Sequence, residues 1–295
     1  MTCAVFGFAE QVPASERLAH ALGVTHRLVS VRAFPDGESL VQVEPAPTTA
    51  LLYRSLDHPN DKLVEILLAA SALRDNGATR VILIAPYLAY MRQDAAFQPG
   101  EAVSQQVIGK ILVDHFDAVL TLDPHLHRTH SLGAIMPGIE AVSMSAAPLL
   151  AAALDASDDP LLVGPDGEAR QWVERIASRM RLEFVLGRKR RDGDRQVRLE
   201  IPDADRASGR RVVLVDDLIS SGATLVAAAR LLRDARAAKV EAMATHCLAG
   251  LADLQQLSDA GISSISATDS VVSPVGTLPI ATFLADEIRR LGWDG

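Results

Sequence analysis

The segment 212–224 constrains the fold of this chain more than any other part of the sequence. It opens with four apolar residues, three of them β-branched, which predict a short strand buried inside a parallel sheet. Asp216 and Asp217 follow at the carboxyl end of that strand, where open α/β sheets place their ligands. Strands and helices alternate in the same way along the chain, so we expect an α/β fold with helices on both faces of parallel sheets.

The turn over residues 220–224 predicts an anion site. It can present backbone N–H groups and hydroxyls to an anion at the start of the next helix, which we expect at Leu225. The two carboxylates before it suit a sugar diol or a magnesium ion rather than a phosphate. A phosphate-binding turn beside a pair of diol-binding carboxylates describes a site for ribose 5-phosphate. Without any ligand, the paired acids would only repel each other.

Composition bounds the class of protein. The chain has 295 residues, of which 48% are hydrophobic and 4% aromatic, enough for one large or two medium α/β domains. A formal net charge of -8 argues against nucleic acid as the main partner. Cys3 and Cys247 match no metal or redox spacing, and no signal peptide or membrane span is evident, so we expect a soluble cytoplasmic protein.

Local signals divide the chain into two similar halves. Gly23 is expected to end a first helix, and alternating residues over 28–34 and 39–43 predict a hairpin around Asp36. On spacing alone that hairpin is simply a turn. The strand–helix pattern starts again near Gly138, which suggests two copies of one α/β unit.

Polar residues follow several other predicted strands. Arg92 and Gln93 could bind a phosphate and a base or ribose edge, or form an ordinary solvated loop. Asp123 and His125 end another strand, with His127 and His130 close behind. These histidines leave two possibilities open, a zinc site or a magnesium–nucleotide site.

Four of these segments together resemble one family. Residues 212–224 closely resemble the phosphoribosyl diphosphate (PRPP) binding motif shared by type I phosphoribosyltransferases and PRPP synthetases, which are ribose-phosphate diphosphokinases. Residues 86–104 resemble the ATP-binding loop of the synthetases, which the transferases lack. Residues 34–38 resemble the synthetase hairpin that contributes to the adenine site of a neighbouring subunit, and the basic run 188–194 resembles the mobile catalytic loop. The resemblance spans roughly residues 3–282.

The resemblance implies a fold, an activity and partners. The fold would be two tandem domains of the type I phosphoribosyltransferase kind, over 1–140 and 141–295, each a mostly parallel sheet flanked by helices. The activity would be diphosphoryl transfer from MgATP to ribose 5-phosphate, giving PRPP and AMP, with Mg²⁺ as the cofactor. The partners would be the two substrates and further copies of the chain, with the ATP site at a subunit interface.

The resemblance also assigns site residues. Lys189 and Arg191 would be catalytic. The residues that would bind ATP are Phe34, Asp36, Glu38, Arg92, Gln93 and His125. Those that would bind ribose 5-phosphate are Asp216, Asp217, Ser220, Ser221, Gly222, Ala223 and Thr224. The metal would be held by His125, Asp166 and Asp123.

The sequence departs from the family pattern in one marked place. Glu168 stands where the family has a glycine, which adds bulk and charge beside the ligand. Ser220 and Ala223 are milder departures, and Ala223 is tolerable if its φ is negative. Two rival functions therefore remain: a PRPP-consuming phosphoribosyltransferase, and a non-catalytic regulatory homologue. The first leaves Arg92, Gln93, Lys189 and Arg191 without a role.

Overall fold

The computed structural model of the chain describes residues 2–126, 128–129, 131–192 and 196–295, with the side chains of 191–192 and 196–198 outside the description. Its strands are, in chain order, β1 (Cys3–Phe8), β2 (Thr25–Ala33), β3 (Ser39–Gln42), β4 (Thr49–Tyr53), β5 (Arg80–Ile84), β6 (Ala118–Leu122), β7 (Glu140–Met144), β8 (Leu161–Gly164), β9 (Phe184–Leu186), β10 (Arg188–Asp192), β11 (Gln196–Glu200), β12 (Arg211–Ile219), β13 (Lys239–Cys247), β14 (Ile262–Thr268) and β15 (Gly276–Leu278). Its α-helices are α1 (Val12–Leu22), α2 (Pro59–Asp75), α3 (Ser104–His115), α4 (Leu132–Ile135), α5 (Ala147–Ala153), α6 (Arg170–Met180), α7 (Ala223–Asp234), α8 (Leu251–Asp259) and α9 (Ala281–Arg290). None of the helices in the described residues has the length and apolar character needed to cross a lipid bilayer.

The first sheet has the strand order β3-β2-β1-β4-β5-β6-β7. Only β2 and β3 pair antiparallel, and the other neighbours are parallel. β1, β4 and β6 are buried along their whole length, as expected for parallel strands covered by helices on both faces. The antiparallel pair is the hairpin predicted around Asp36, and it stands at the edge of this sheet. The helix before it ends at Gly23 (φ 73°), as predicted.

The second sheet has the strand order β15-β14-β13-β12-β8-β9, with parallel neighbours throughout. β12 lies inside it, between β13 and β8. Val212 and Leu214 pack into the core on one face of β12, and Val213 and Val215 into the core on the other. The strand is therefore buried on both sides, which confirms the interpretation of its apolar run. β10 and β11 form a separate antiparallel pair.

The chain divides into two compact units, one formed by Met1–Met144 with Pro279–Gly295 and the other by Ser145–Leu278. This differs from the predicted domain limits, which placed everything after residue 140 in the second domain. The last segment returns to the first unit because α9 packs on α1 and Trp293 is fully buried there. The indole Nε1 of Trp293 donates to Glu140 Oε2 at 2.9 Å. Helical periodicity shows that α9 has an apolar face but does not say which sheet covers it.

We expect Trp293→Ala to lower the free energy of unfolding by about 3–5 kcal/mol, because the substitution leaves a large cavity in a packed core. Urea unfolding followed by circular dichroism would measure the change. Val107→Ala is the control, since Val107 is 53% exposed in the same unit and should change the free energy by no more than about 0.5 kcal/mol. A loss below about 1 kcal/mol in Trp293→Ala would contradict the role given to the C-terminal segment.

Candidate active site

Asp216 and Asp217 lie near the carboxyl end of β12, still inside the strand. The strand continues to Ile219 because β13 still pairs with it there. Leu218 lies opposite His246, and Ile219 lies opposite Cys247. The sequence analysis had ended the strand before the two acids. Asp217 is only 3% exposed, so one member of the pair is held in the interior and the other directly beside it.

Asp217 strongly affects the ionisation of Asp216. The backbone N–H of Asp217 donates to Asp216 Oδ1 at 2.9 Å. Burial raises the pKa of Asp216 well above its usual value, and repulsion from Asp217 and Asp166 raises it further. In the absence of a ligand Asp216 therefore tends to keep a proton. A cation or a hydroxyl donor bound at this place would favour the ionised form.

The loop after β12 leads directly into the first turn of α7. The helix begins at Ala223 rather than at Leu225, so Ala223 and Thr224 supply N–H groups that have no partner within the helix. Ala223 has a negative φ, as the sequence analysis required. Gly222 has φ 73°, and a Cβ there would also come within 2.9 Å of the Leu257 side chain. Only glycine fits at this position, where the chain turns to present the end of the helix.

Asp166 follows β8, the strand next to β12, and holds a lysine from a distant part of the sequence. Lys189 Nζ lies 2.7 Å from Asp166 Oδ2, and the Glu168 N–H donates to Asp166 Oδ1 at 2.9 Å. Burial alone would lower the pKa of Lys189. The hydrogen bond and charge of Asp166, helped by Glu168 and Asp216, outweigh it and raise that pKa above its usual value. The Lys189 ammonium on β10 thus interacts with carboxylates that follow β8 and lie on β12, all within the second unit.

Glu168 stands beside this cluster without filling it. Its side chain is exposed, and its charge is one of those that raise the pKa of Lys189. The bulk expected from replacing a glycine at this position therefore points away from the protein interior. The added negative charge does act on the cluster, because it helps to raise the pKa of Lys189.

Gly187 makes the approach of Lys189 to Asp166 possible, and the sequence analysis missed it. Its N–H donates to the Gly164 carbonyl at 2.8 Å, and a Cβ on Gly187 would come within 2.1 Å of the Pro165 carbonyl oxygen. No side chain fits between these two backbone segments. A glycine directly before a basic run was the available signal, because glycine in an extended segment often marks a close backbone approach.

The basic run is a strand over residues 188–192, although the sequence analysis had read it as a loop. Arg188 lies opposite Glu200 in the β10–β11 pair, and Glu200 accepts from Arg188 at 3.0 Å and from Arg190 at 3.5 Å. These contacts let a charged segment pair as a hairpin, since they balance the positive charge on one side of it. The side chain of Arg191 and residues 193–195 lie outside the described residues, so their predicted roles stay predictions.

The nucleotide residues predicted in the hairpin lie at its tip. The Phe34 N–H donates to the Glu38 carbonyl at 2.7 Å and the Glu38 N–H donates to Asp36 Oδ1 at 3.2 Å. Phe34 is 38% exposed, and the guanidinium carbon of Arg32 lies 5.0 Å from the centre of its ring. The tip therefore offers an aromatic face and two exposed carboxylates to a partner outside the hairpin.

The other predicted nucleotide residues follow β5 in the same unit. Gln93 Oε1 accepts from Ser104 Oγ at 2.8 Å, which ties the loop to the start of α3, and Arg92 is exposed. Asp94, which the sequence analysis did not single out, accepts from Arg128 Nη1 at 2.8 Å and joins this loop to the one after β6. Arg92 thus projects from a loop that is fixed at both ends.

Asp123 and His125 follow β6, as predicted. Asp123 is buried and has φ 31°, a left-handed conformation. Its backbone N–H donates to the Met144 carbonyl at 2.8 Å, which helps to hold this conformation. His127 and His130 lie outside the described residues. No three His, Cys, Asp or Glu side chains of the described part of the chain converge on a point where they could hold a metal ion by themselves.

The raised pKa of Asp216 makes a prediction about stability. An unfolded aspartate has a pKa of about 3.9, so between that pH and the raised value the folded protein binds more protons than the unfolded one. The free energy of unfolding therefore falls as the pH rises through this interval. Asp216→Asn removes the titration, and we expect it to raise the Tm of the ligand-free enzyme at pH 8 by about 2–4 °C, as about 1 kcal/mol would.

At pH 4 the two proteins should differ little, because wild-type Asp216 is then protonated. Differential scanning fluorimetry in EDTA across this pH range would measure the difference. Asp205→Asn is the control, since Asp205 is exposed in the same unit. A gain that is the same at both pH values would contradict the raised pKa.

The chain is similar in sequence to known ribose-phosphate pyrophosphokinases. The family model for the N-terminal domain of ribose phosphate pyrophosphokinase matches residues 3–115, and the phosphoribosyl transferase domain model matches residues 137–277. The ribose-phosphate pyrophosphokinase of Methanopyrus kandleri is 36% identical over 293 residues, which cover 97% of this chain and 99% of the relative. That of Pyrococcus abyssi is 31% identical over 257 residues, or 87% of this chain and 88% of the relative.

A solved structure shares the fold. The crystal structure of phosphoribosylpyrophosphate synthetase from Mycobacterium smegmatis superposes with a TM-score of 0.86 at 24% identity and covers 100% of both chains. At this identity the match establishes the architecture. It confirms the α/β class with parallel sheets flanked by helices.

Proposed function

The chain belongs to the ribose-phosphate pyrophosphokinase family, and from this premise we propose that it transfers the diphosphoryl group of MgATP to ribose 5-phosphate. The products are PRPP and AMP. One observation carries the proposal: the buried pair Asp216–Asp217 stands before a helix N-terminus, with Lys189 held on Asp166 in the same unit. The two aspartates can bind a diol, and the N-terminus of α7 can bind a phosphate. Lys189 can contact the phosphate that is transferred.

Ribose 5-phosphate binds at the carboxyl end of β12. The N–H groups and hydroxyls over residues 220–224 hold the 5-phosphate, helped by the positive end of the α7 dipole. Asp216 and Asp217 accept hydrogen bonds from the 2- and 3-hydroxyls. The raised pKa favours a proton on Asp216 in the ligand-free protein, and Asp216 loses this proton when the sugar binds. Replacing Asp217 by Asn should therefore weaken ribose 5-phosphate binding in a titration while leaving ATP binding unchanged.

Magnesium fits the donors that the chain supplies. The residues predicted to hold it are Asp166, Asp123 and His125. Mg²⁺ keeps several waters and takes one or two carboxylates together with substrate phosphates. When bound, it neutralises phosphate charge and orients the oxygens of the triphosphate.

ATP is bound by residues of the first unit. Phe34 stacks on the adenine, and Asp36 or Glu38 accepts from its amino group. Arg92 and Gln93 contact the phosphates and the ribose edge, and His125 lies near the triphosphate. In sheet order β1 and β4 separate β2 from β5, so the strands that carry these two groups are about 14 Å apart.

The proposed assembly contains several copies of the chain, with the hairpin of one copy at the ATP site of a neighbouring copy. A hairpin reaching into the site of a neighbouring copy would bring Phe34 to a base held by the partner's own β5 loop. Mixing Phe34→Ala with Lys189→Ala would test the arrangement, because hybrid assemblies would contain some sites without either defect. Partial recovery of activity at low ATP is expected, and no recovery would contradict shared sites.

The transfer itself follows from positions and charges. The anomeric hydroxyl oxygen of ribose 5-phosphate attacks the β-phosphorus, the bond from that phosphorus to the α–β bridging oxygen breaks, and AMP leaves. The hydroxyl proton goes to solvent or to a nearby base. Negative charge accumulates on the bridging oxygen, where Lys189 and Arg191 stabilise it. The protein otherwise contributes by holding the two reacting groups in line.

The two rival functions account for less of the molecule. A PRPP-consuming transferase would use the site at β12 but has no need for the nucleotide residues of the first unit. A non-catalytic homologue would have no need to keep Lys189 on Asp166. The two free cysteines, both buried, fit a reducing compartment such as the cytoplasm, where we place the reaction.

The direct test is an assay of the purified chain with ATP and magnesium. AMP and PRPP should form in equal amounts when ribose 5-phosphate is present, and AMP should be absent when it is omitted. AMP release without the sugar phosphate, or PRPP consumption with an added base, would point to another reaction. Nuclear magnetic resonance of phosphorus distinguishes all of these products.

We expect Lys189→Ala to reduce kcat on the order of 10²–10³-fold, because a charge-assisted contact made mainly in the transition state is lost. The KM for ATP should change only a few-fold. Steady-state kinetics at saturating ribose 5-phosphate would separate the two effects. Arg188→Ala is the matched control, since Arg188 is the neighbouring cation and pairs with Glu200. Weak ATP binding with near-normal kcat would make Lys189 an electrostatic anchor instead.

A further inference from the structure

A buried arginine stands at the carboxyl end of β4, in the middle of the first sheet. Arg54 is 5% exposed, and its guanidinium carbon lies 3.8 Å from the centre of the Phe8 ring. Nε donates to Glu10 Oε1 at 2.9 Å. Because a buried guanidinium stays charged, it needs negative partners close by.

Glu65 on α2 is the second partner. Its Oε2 lies 2.6 Å from Arg54 Nη1, although Nη1 makes no hydrogen bond of acceptable geometry. The attraction between them is therefore mainly that of two charges in a poorly hydrated place. One carboxylate oxygen of Glu65 is thus turned towards the buried guanidinium.

The other oxygen of Glu65 reaches the hairpin. Ser39 Oγ donates to Glu65 Oε1 at 3.0 Å, and a carboxylate acceptor makes such a bond stronger than a neutral one. Ser39 is the first residue of β3 and lies opposite Ala33 in the register of the hairpin. It therefore stands where the strand meets the tip that carries Phe34, Asp36 and Glu38.

The tip of the hairpin has little burial to hold it, although Val29 on β2 and Val41 on β3 pack against the core of the first unit. β3 is the edge strand of the sheet, and Val31 and Leu40, one on each strand, are exposed along with Phe34. Apolar packing fixes an element only where it is buried. A hydrogen bond at the base of the tip therefore matters more here than it would in the interior.

We propose that Arg54, Glu65 and Ser39 are positioning residues that fix the nucleotide hairpin for ATP. The buried Arg54 orients Glu65, and Glu65 holds Ser39, so the tip keeps one height and angle relative to the sheet. This inference rests on the proposed function, since it assumes that the tip contacts ATP. The proposal gives none of the three residues a contact with the reacting phosphates.

Ser39→Ala tests the proposal with the smallest possible change. We expect the KM for ATP to rise about five- to tenfold, the effect of losing roughly 1 kcal/mol of orientation through one charge-assisted hydrogen bond. The kcat and the KM for ribose 5-phosphate should stay within about twofold of wild type. Ser39→Thr, which keeps the hydroxyl, should restore the wild-type KM. Ser30→Ala is the matched control, an exposed serine on β2 of the same hairpin.

Three outcomes would overturn the proposal. One is an unchanged KM for ATP in Ser39→Ala, and another is an equal rise in Ser30→Ala. The third is a rise that light scattering shows to accompany loss of subunit assembly. Calorimetric titration with a non-hydrolysable ATP analogue gives a readout of binding without turnover. Wild-type enzyme that makes no AMP would reject the proposed function, whereas active wild type with an unaffected Ser39→Ala would reject this inference alone.

Discussion

Two carboxylates held side by side near the end of a strand buried on both faces are the constraint around which the second unit is arranged. Asp216 and Asp217 cannot both be charged at low cost while the site is empty, because burial and mutual repulsion favour a proton on Asp216. The core around β12 is close-packed and cannot move to separate them. A proton on Asp216 relieves this repulsion, and a bound cation or hydroxyl donor would relieve it with Asp216 ionised.

The nearest relief within the protein is Lys189, and its contact shows how the chain balances this charge. Lys189 reaches Asp166, which follows β8, because Gly187 lets β10 begin close to the end of β8. The same cation is the one expected to stabilise the departing AMP. Under the proposed function, Lys189 would therefore exchange its contact with Asp166 for one with the nucleotide.

Sequence patterns predicted the parts of this molecule that depend on neighbours along the chain. The apolar run before Asp216, the glycine that ends α1 and the hairpin around Asp36 each carry a local signal, and the structure has all three. The parts that failed depend on distant partners. β12 is longer than predicted because β13 pairs with its end, and the basic run is a strand because Glu200 lies opposite Arg188. The site residues themselves were suggested by family motifs, whereas the close approach of Gly187 to Pro165 and the bond between Asp94 and Arg128 depend on the folded chain.

The return of the C-terminal segment to the first unit makes that unit discontinuous in sequence. On a ribosome, residues 2–144 emerge early. Trp293 and α9, which packs on α1, reach their places in the first unit only after the second unit has been synthesised. The second unit is continuous and can close its core while the first still exposes the face that α9 will cover. The first unit is therefore the first to be synthesised and the last to complete its core.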